Sequence, residues 1–278
     1  MVIPPTFADL GKAAKDVFKK GFSVGSTKLD VKTKTGNGIA LNPVFEMKDD
    51  GIVSSFETSG KVVDGVTLKE KWSSDNVVKT NIVVEDIIAK GLKCDLEVVV
   101  NPASGKKSAV AKAAYKRDAF NGTMDCNLDL AGPTFLATAV TEYSGFQGGL
   151  ELAFNTEKST LTKNTFACGF TNADFAAVAF VRDASVFDTF VHHKVNDKSE
   201  IAANINWNMQ SNAANFGVGL KHKLDAETSL NAKLDGAGKT TLGITHKVKP
   251  YLSVTMSSHF DVKSMSGIQN GISFEAAL

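Results

Sequence analysis

The chain of 278 residues carries 31 lysines and arginines against 30 aspartates and glutamates, and this balance argues against a nucleic-acid binder. Although 43% of its residues are hydrophobic, no stretch approaches the roughly 18 consecutive apolar residues of a membrane-spanning helix. Apolar and polar residues alternate in the strands of a membrane β-barrel, so its overall hydrophobic content is similar to that of a soluble protein. Composition therefore does not exclude a membrane β-barrel.

The first predicted element is an amphipathic helix that ends at Gly21. Thr6 is placed as its N-cap, and Asp9 stands three positions later, as in a capping box. The helix presents one apolar stripe at helical spacing: Leu10, Ala13, Ala14, Val17 and Phe18. Lysines fill the other face, and Gly21 and Gly25 bracket a glycine hinge. We therefore assign residues 1–25 to the helix and hinge.

From Thr27 onward the pattern has period two, which is typical of β-strands, and turn residues separate the segments. The predicted strand segments are Lys28–Lys34, Ile52–Lys61, Val66–Ser73, Val77–Glu85, Leu92–Val100, Ala109–Lys116, Thr123–Leu130, Phe135–Tyr143, Gly149–Asn155, Thr165–Thr171, Phe175–Val181, Ile201–Trp207, Phe216–Lys223, Ser229–Leu234, Leu242–Lys247, Leu252–Phe260 and Ile272–Ala276. Residues 26–278 are therefore assigned to a β-domain.

Nearly every segment has one apolar face and one polar face. In one segment the apolar residues are Met124, Cys126, Leu128 and Leu130, and the polar ones are Thr123, Asp125, Asn127 and Asp129. Such a sheet can roll up with its apolar face inside, as an eight-stranded soluble barrel, or outside, in lipid around a wet lumen. About 250 residues, at ~10 per strand and ~3 per turn, give roughly 19 strands. Side chains cannot fill so wide a barrel, so we predict an all-β transmembrane fold, a membrane β-barrel.

Residues with metal-binding or catalytic chemistry do not form a recognisable site in the sequence. Cys94, Cys126 and Cys168 are scattered, and His192 and His193 point to opposite faces of a strand. No paired acids or Ser-His-Asp set stands out. We therefore expect no enzymatic activity and no required cofactor.

Several segments closely resemble the mitochondrial porins, the voltage-dependent anion channels. They are Pro4-Pro5-Thr6-Phe7-Ala8-Asp9-Leu10-Gly11-Lys12, Lys28-Leu29-Asp30-Val31-Lys32-Thr33-Lys34, Glu70-Lys71-Trp72, Gly91-Leu92-Lys93, Ala131-Gly132-Pro133 and Lys194-Val195-Asn196. The similarity runs the whole length of the chain. That family is already known as a 19-stranded barrel, so the strand number obtained from length is not an independent result.

This resemblance implies a voltage-gated, weakly anion-selective channel of the mitochondrial outer membrane, with the N-terminal α-helix inside the pore. Small ions and metabolites, ATP and ADP among them, would cross by passive diffusion, with ATP and NAD(H) as weakly bound or transported ligands. The implied partners are the bilayer, hexokinase-type and apoptosis-regulating proteins and further copies of the chain. The alternative is a protein-import pore of related barrel architecture, which would need a more acidic lumen to bind basic presequences. A soluble carrier of an apolar ligand ranks third.

The helix and hinge supply most of the predicted pore and gating residues: Lys12, Lys15, Asp16, Lys19, Lys20, Gly21, Gly25 and, on the first strand, Lys32. On an arbitrary protein such lysines would simply be a solvated helix face, but inside a pore they favour anions. Further lysines of lumen parity would add positive charge to the wall: Lys28, Lys93, Lys112, Lys116, Lys221 and Lys223.

Nucleotide contacts are implied by the resemblance at Lys12 and Lys20, and also at Lys239, Thr240, Thr241, Ser257 and Asp261. Gly236–Thr241 looks like the end of a P-loop, but a strand rather than a helix follows, so we interpret it as a hairpin turn. Glu70 shares its parity with Leu68 and Trp72 and should face lipid. It is either a regulatory carboxylate within the membrane or a residue close enough to the interface to stay wet.

Overall fold

The computed structural model describes residues 3–129, 132–264 and 266–278, so the predicted strand residue Leu130 and the motif residue Ala131 lie outside the described residues. Within those ranges a 3₁₀ turn, Phe7–Asp9, and one α-helix, α1 (Lys12–Lys19), precede nineteen β-strands. The strands are β1 (Ser26–Lys34), β2 (Ala40–Lys48), β3 (Gly51–Val63), β4 (Val66–Ser73), β5 (Val78–Glu85), β6 (Leu92–Asn101), β7 (Lys106–Arg117), β8 (Phe120–Asn127), β9 (Thr134–Tyr143), β10 (Phe146–Asn155), β11 (Thr160–Thr171), β12 (Phe175–Arg182), β13 (Val186–Lys194), β14 (Ser199–Asn208), β15 (Ala213–Lys223), β16 (Thr228–Asp235), β17 (Lys239–Lys249), β18 (Leu252–Asp261) and β19 (Ser266–Ala277).

All nineteen strands belong to one sheet in which sequence neighbours pair, and β1 pairs with both β2 and β19. The sheet therefore closes on itself, and the predicted β-barrel of about 19 strands is confirmed. In the described residues no helix has the length and apolar character needed to cross a membrane.

Two strands of the barrel were missed by the sequence pattern. Strand β2 contains Pro43, which lacks an N–H group and argues against a strand. Strand β13 carries aromatic residues on both faces, Phe187 on one and Phe190 on the other, so its alternation is hidden. Phe190 lies against α1, and this explains why an apolar side chain is needed on an otherwise polar face.

The N-terminal helix begins later than predicted. Thr6 does not cap α1 but closes the 3₁₀ turn, where its Oγ1 donates to Asp9 Oδ2 at 2.8 Å and accepts the Asp9 N–H at 3.3 Å. Gly11 then adopts a left-handed conformation with φ of 68°, which interrupts the helical path before Lys12. The expected continuous helix from Thr6 is therefore wrong. Gly21, with φ of 80°, follows the helix end as predicted.

The described chain forms two compact units. One contains the residues up to Asp9 together with Lys32–Pro43 and Val53–Ala167. The other contains Leu10–Val31, Val44–Ile52 and Cys168–Leu278. Helix α1 and strands β13–β15, on which it packs, belong to the second unit.

Helix α1 supplies a small apolar core on the polar face of the sheet. Ala14 and Val17 are buried against Ala202 of β14, and Phe18 and Phe190 pack beside them. The wall makes room with small residues, since a Cβ on Gly219 of β15 would come within 2.9 Å of the Val17 side chain. The opposite face of the sheet carries the exposed apolar residues, as predicted from parity: Met124, Leu128, Phe154 and Ile205.

Both tryptophans of the chain, Trp72 and Trp207, lie on this outer apolar face and are 50% and 37% exposed. We expect their fluorescence to be quenched strongly by brominated lipids and weakly by acrylamide, because the outer face of a membrane β-barrel contacts lipid. As a control, a single tryptophan at the polar-face position Lys32, in the W72F/W207F background, should show the reverse order. Stronger quenching of Trp72 and Trp207 by acrylamide would contradict the assignment of faces.

Two adjacent alanines of α1 provide a matched test of helix packing. Ala14 is 1% exposed, whereas Ala13 is exposed. Ala14→Gln should weaken helix docking by about 1–3 kcal/mol, because the wall must accept extra volume and an amide. Ala13→Gln makes the same change of helix propensity as Ala14→Gln, but at an exposed position, and should leave helix docking unchanged. The measurement is the rate of tryptic cleavage at the helix lysines in membranes, and equal rates for the two variants would contradict the packing described.

Candidate functional site

The lysines of α1 differ in what they contact. Lys15 donates from Nζ to the Leu10 carbonyl at 2.8 Å and lies 5.0 Å from the centre of the Phe180 ring, so it is held against the wall. Lys20 pairs with Asp16 at 2.7 Å, one helical turn away. Lys12 and Lys19 are exposed. The predicted gating residues of α1 therefore include one that is anchored and several that face the water-accessible side.

After α1, residues 21–25, which we name the strap, run along the wall. The Ser23 N–H donates to Ser257 Oγ at 2.8 Å, and the Gly25 N–H donates to the Asn270 carbonyl at 3.2 Å. These hydrogen bonds tie the strap to strands β18 and β19. The segment that the sequence suggested as a hinge is thus bonded to the wall at its middle residue, Ser23, and at its last residue, Gly25.

Lysine side chains from α1 and from the wall meet around one cavity of about 640 Å³. Its charged and polar lining includes Lys15, Lys19, Lys233, Lys239, Asp235, Thr241 and His259. Lys233 Nζ donates to the Phe18 carbonyl at 3.0 Å, and Thr241 Oγ1 is 2.9 Å from His259 Nδ1. Four ammonium groups and one carboxylate make this cavity suited to an anion.

The structure brings only part of the predicted nucleotide residues to this cavity. Lys239 and Thr241 line it, whereas Lys12 and Lys20 do not. Thr240 points to the other face of β17, because it is in register with Leu234 and Phe260 while Thr241 is in register with Lys233 and His259. Sequence reasoning missed Lys233 and His259, although strand alternation places both on the face of Thr241.

The remaining predicted nucleotide residues have structural contacts. Ser257 is buried beneath the strap, where it accepts the Ser23 N–H. Asp261 Oδ1 accepts the N–H groups of Lys263 at 2.8 Å and Ser264 at 3.3 Å and so shapes a turn.

The segment that resembles the end of a P-loop forms a hairpin turn between β16 and β17, as interpreted from the sequence. There Asp235 Oδ1 accepts the N–H groups of Ala237 at 3.0 Å and Lys239 at 2.9 Å.

Glu70 lies on β4 in register with Thr58 and Thr80, and by strand alternation it shares a face with Leu68 and Trp72. The neighbouring lysines of β4, Lys69 and Lys71, occupy the opposite face. Lys32 is an exposed residue of β1 on the face of buried Asp30. Neither Glu70 nor Lys32 is among the residues that line the cavity at α1.

Several wall lysines of lumen parity are paired with carboxylates. In the unit that contains β6 and β7, Glu97 bridges Lys79 at 2.7 Å and Lys112 at 2.8 Å, and its side chain is only 13% exposed. In the other unit Glu200 pairs with Lys221 at 3.2 Å, and Asp30 pairs with Lys28 at 3.2 Å. The expected positive wall is therefore partly neutralised, although Glu97 opposes two lysines with a single carboxylate.

The described ranges contain no group of three or more His, Cys, Asp and Glu side chains that could hold a metal ion. The side chains that line the cavity at α1 carry ammonium, hydroxyl and imidazole groups.

Comparison with known proteins gives one consistent result. The chain is 40% identical over 276 residues to the Homo sapiens protein named Non-selective voltage-gated ion channel VDAC3, covering 98% of each chain. It is 39% identical over 269 residues to the Meleagris gallopavo protein named Non-selective voltage-gated ion channel VDAC2, covering 96% of this chain and 91% of that one. A solved structure of a Rhodopseudomonas blastica porin with three substitutions matches in fold, with a TM-score of 0.52, 12% identity and coverage of 84% of this chain and 96% of that chain. The family model described as Eukaryotic porin matches residues 3–269, and the chain therefore belongs to the eukaryotic porin family.

Proposed function

We propose that the protein is a voltage-gated channel of the mitochondrial outer membrane through which small ions and metabolites diffuse passively. The observation that carries the proposal is a closed 19-stranded barrel whose polar inner face holds a lysine-rich helix. The names of its relatives, voltage-gated ion channels, support the same function. The proposal includes no catalytic step and no resident cofactor.

Voltage sensing is assigned to the charges that the helix and wall carry into the lumen. A charge moved through the membrane potential changes the free energy by about 2.3 kcal/mol per 100 mV. Lys12, Asp16 and Lys19 of α1, and Lys20 directly after it, lie outside the packed apolar stripe. A change of barrel state would therefore alter the fraction of the membrane potential that acts on these charges.

A weak preference for anions is part of the proposal. Its support is the cluster of Lys15, Lys19, Lys233 and Lys239 around one cavity. The preference should be small, because acids such as Glu97 neutralise other wall lysines and because the relatives are named non-selective.

Reconstitution of the full chain into a planar bilayer tests the function. We expect large conductance steps that decrease at both signs of high voltage. Absence of any conductance, in protein shown to be folded and inserted, would reject the channel function.

The pairing of Glu97 predicts a change in ion selectivity. Glu97→Gln leaves Lys79 and Lys112 without their carboxylate, so the lumen gains net positive charge. In a salt gradient the reversal potential should move toward the anion equilibrium potential. Asp197→Asn removes the same charge from a turn where the side chain is 96% exposed and should have little effect. An equal shift in both variants, or none in Glu97→Gln, would contradict the role given to the wall pair.

Nucleotides such as ATP and NAD(H) are proposed as transported or weakly held ligands, with the lysine cavity at α1 as their contact. Hexokinase-type and apoptosis-regulating partners, and a homo-oligomer, stay predictions of the family resemblance.

The cavity makes a testable prediction about polyphosphate. Lys19→Gln and Lys239→Gln should each shorten the residence of ATP in the open channel, because each removes a charge from the cavity lining. An exposed ion pair contributes about 0.2–1 kcal/mol, which corresponds to about a 1.4- to 5-fold weakening. Current noise in the presence of ATP gives the measurement, with Lys198→Gln in a turn as the matched control. Unchanged noise in both cavity variants would contradict the site.

A further inference from the structure

The wall beneath the strap contains a row of residues that crosses four strands. Asn231 of β16 is in register with Gly243 of β17, Gly243 with Ser257 of β18, and Ser257 with Gly271 of β19. Because partners in register present their side chains to the same face, all four positions belong to the inner face. Two of the four carry no side chain, so the row forms a shallow slot across the strands.

The strap fills this slot at atomic contact. A Cβ added to Gly243 would overlap the carbonyl oxygen of Gly21, and a Cβ added to Gly271 would overlap the carbonyl oxygen of Ser23. Both obstacles are backbone atoms, which cannot rotate away as a flexible side chain could. Gly243 and Gly271 are therefore required for the strap to lie at its present depth.

Polar groups hold the strap in the slot along its length. Ser257, 6% exposed, accepts the Ser23 N–H from its place between the two glycines. The Asn270 carbonyl accepts the Gly25 N–H. Strap backbone groups that would otherwise need water thus find partners on the wall.

The end of α1 is fixed to the same part of the wall. Lys233 donates to the Phe18 carbonyl in the last turn of the helix, where carbonyl groups have no partner within the helix. The same ammonium group lies 4.6 Å from the centre of the Phe22 ring. One wall lysine thus joins the helix end to the start of the strap.

We propose that Gly243, Ser257 and Gly271 are positioning residues for α1, and that the strap is a fixed seat rather than a free hinge. The helix is coupled through the strap to strands β16–β19, so it moves with that part of the wall. The effect of this coupling on gating rests on the proposed channel function, whereas the position of the strap in the slot does not.

Distance measurements between spin labels test the seating in the full chain in lipid. One label replaces exposed Lys19 on α1 and the other replaces Ser211 in the turn after β14, with Cys94, Cys126 and Cys168 changed to serine. Gly243→Ala and Gly271→Ala should each shift the mean distance by about 2 Å or broaden its distribution, since carbon contacts need a separation of ~3.5 Å. Gly148→Ala is the matched control, because its nearest neighbour would be Thr141 Oγ1 at an ordinary 3.6 Å.

A milder variant covers the case in which the glycine variants fail to fold. Ser257→Ala removes only the acceptor of the Ser23 N–H and should broaden the same distance distribution, whereas Ser253→Ala on the same strand and face should not. Unchanged distances in Ser257→Ala and in every glycine variant that folds would overturn the proposal.

Bilayer recordings separate the seating from the channel function. If the seat matters for gating, Gly271→Ala and Ser257→Ala should conduct but show a changed voltage dependence relative to Gly148→Ala. A wild-type chain that fails to conduct, combined with the expected changes of distance, would reject the channel and keep the seat. Normal conduction with identical gating and identical distances in all variants would reject the seat and keep the channel.

Discussion

The constraint on which the structure depends is that a lipid hydrocarbon offers no hydrogen-bond partner to the backbone. An unpaired N–H or C=O group there costs several kcal/mol, so an open sheet edge is excluded. The pairing of β1 with both β2 and β19 removes the two edges that a linear sheet would have. Once the sheet is closed, each strand has one face toward lipid and one toward the lumen, and the alternation of the sequence follows.

Helix α1 causes a local exception to this alternation of apolar and polar faces. Where it packs, the inner face needs small or apolar residues in place of polar ones, and Ala202, Phe190 and Gly219 supply them. Where the strap lies, Gly243 and Gly271 do the same for backbone atoms. Glycine weakens a strand, so these positions lower the stability of the sheet locally. In return, they allow the N-terminal segment to approach the wall closely.

The same exception limits what the sequence could predict. Chain length, the alternating pattern and the family resemblance together predicted a barrel of the right strand number, although the pattern itself marked only seventeen of the nineteen strands. Strand β13 was missed because Phe190 serves α1 rather than the lumen, and the interruption at Gly11 was missed because the apolar stripe runs through it. The lysine cavity joins residues more than 200 positions apart, and no local pattern connects Lys19 with Lys239.

The charges of the wall explain how a lysine-rich lumen can select only weakly. One-to-one pairs such as Lys28 with Asp30 and Lys221 with Glu200 cancel over a few ångströms, so at a distance of one Debye length, about 8 Å at physiological salt, they contribute little field. Glu97 offsets one of the two positive charges of Lys79 and Lys112. The cluster around Lys19, Lys233 and Lys239 is different, because Asp235 is the one carboxylate among the residues that line it. An anion would therefore meet a local attraction rather than a uniformly positive tube. Lys19 belongs to α1 and Lys233 to the wall, so the depth of that attraction depends on how firmly the strap holds the helix in place.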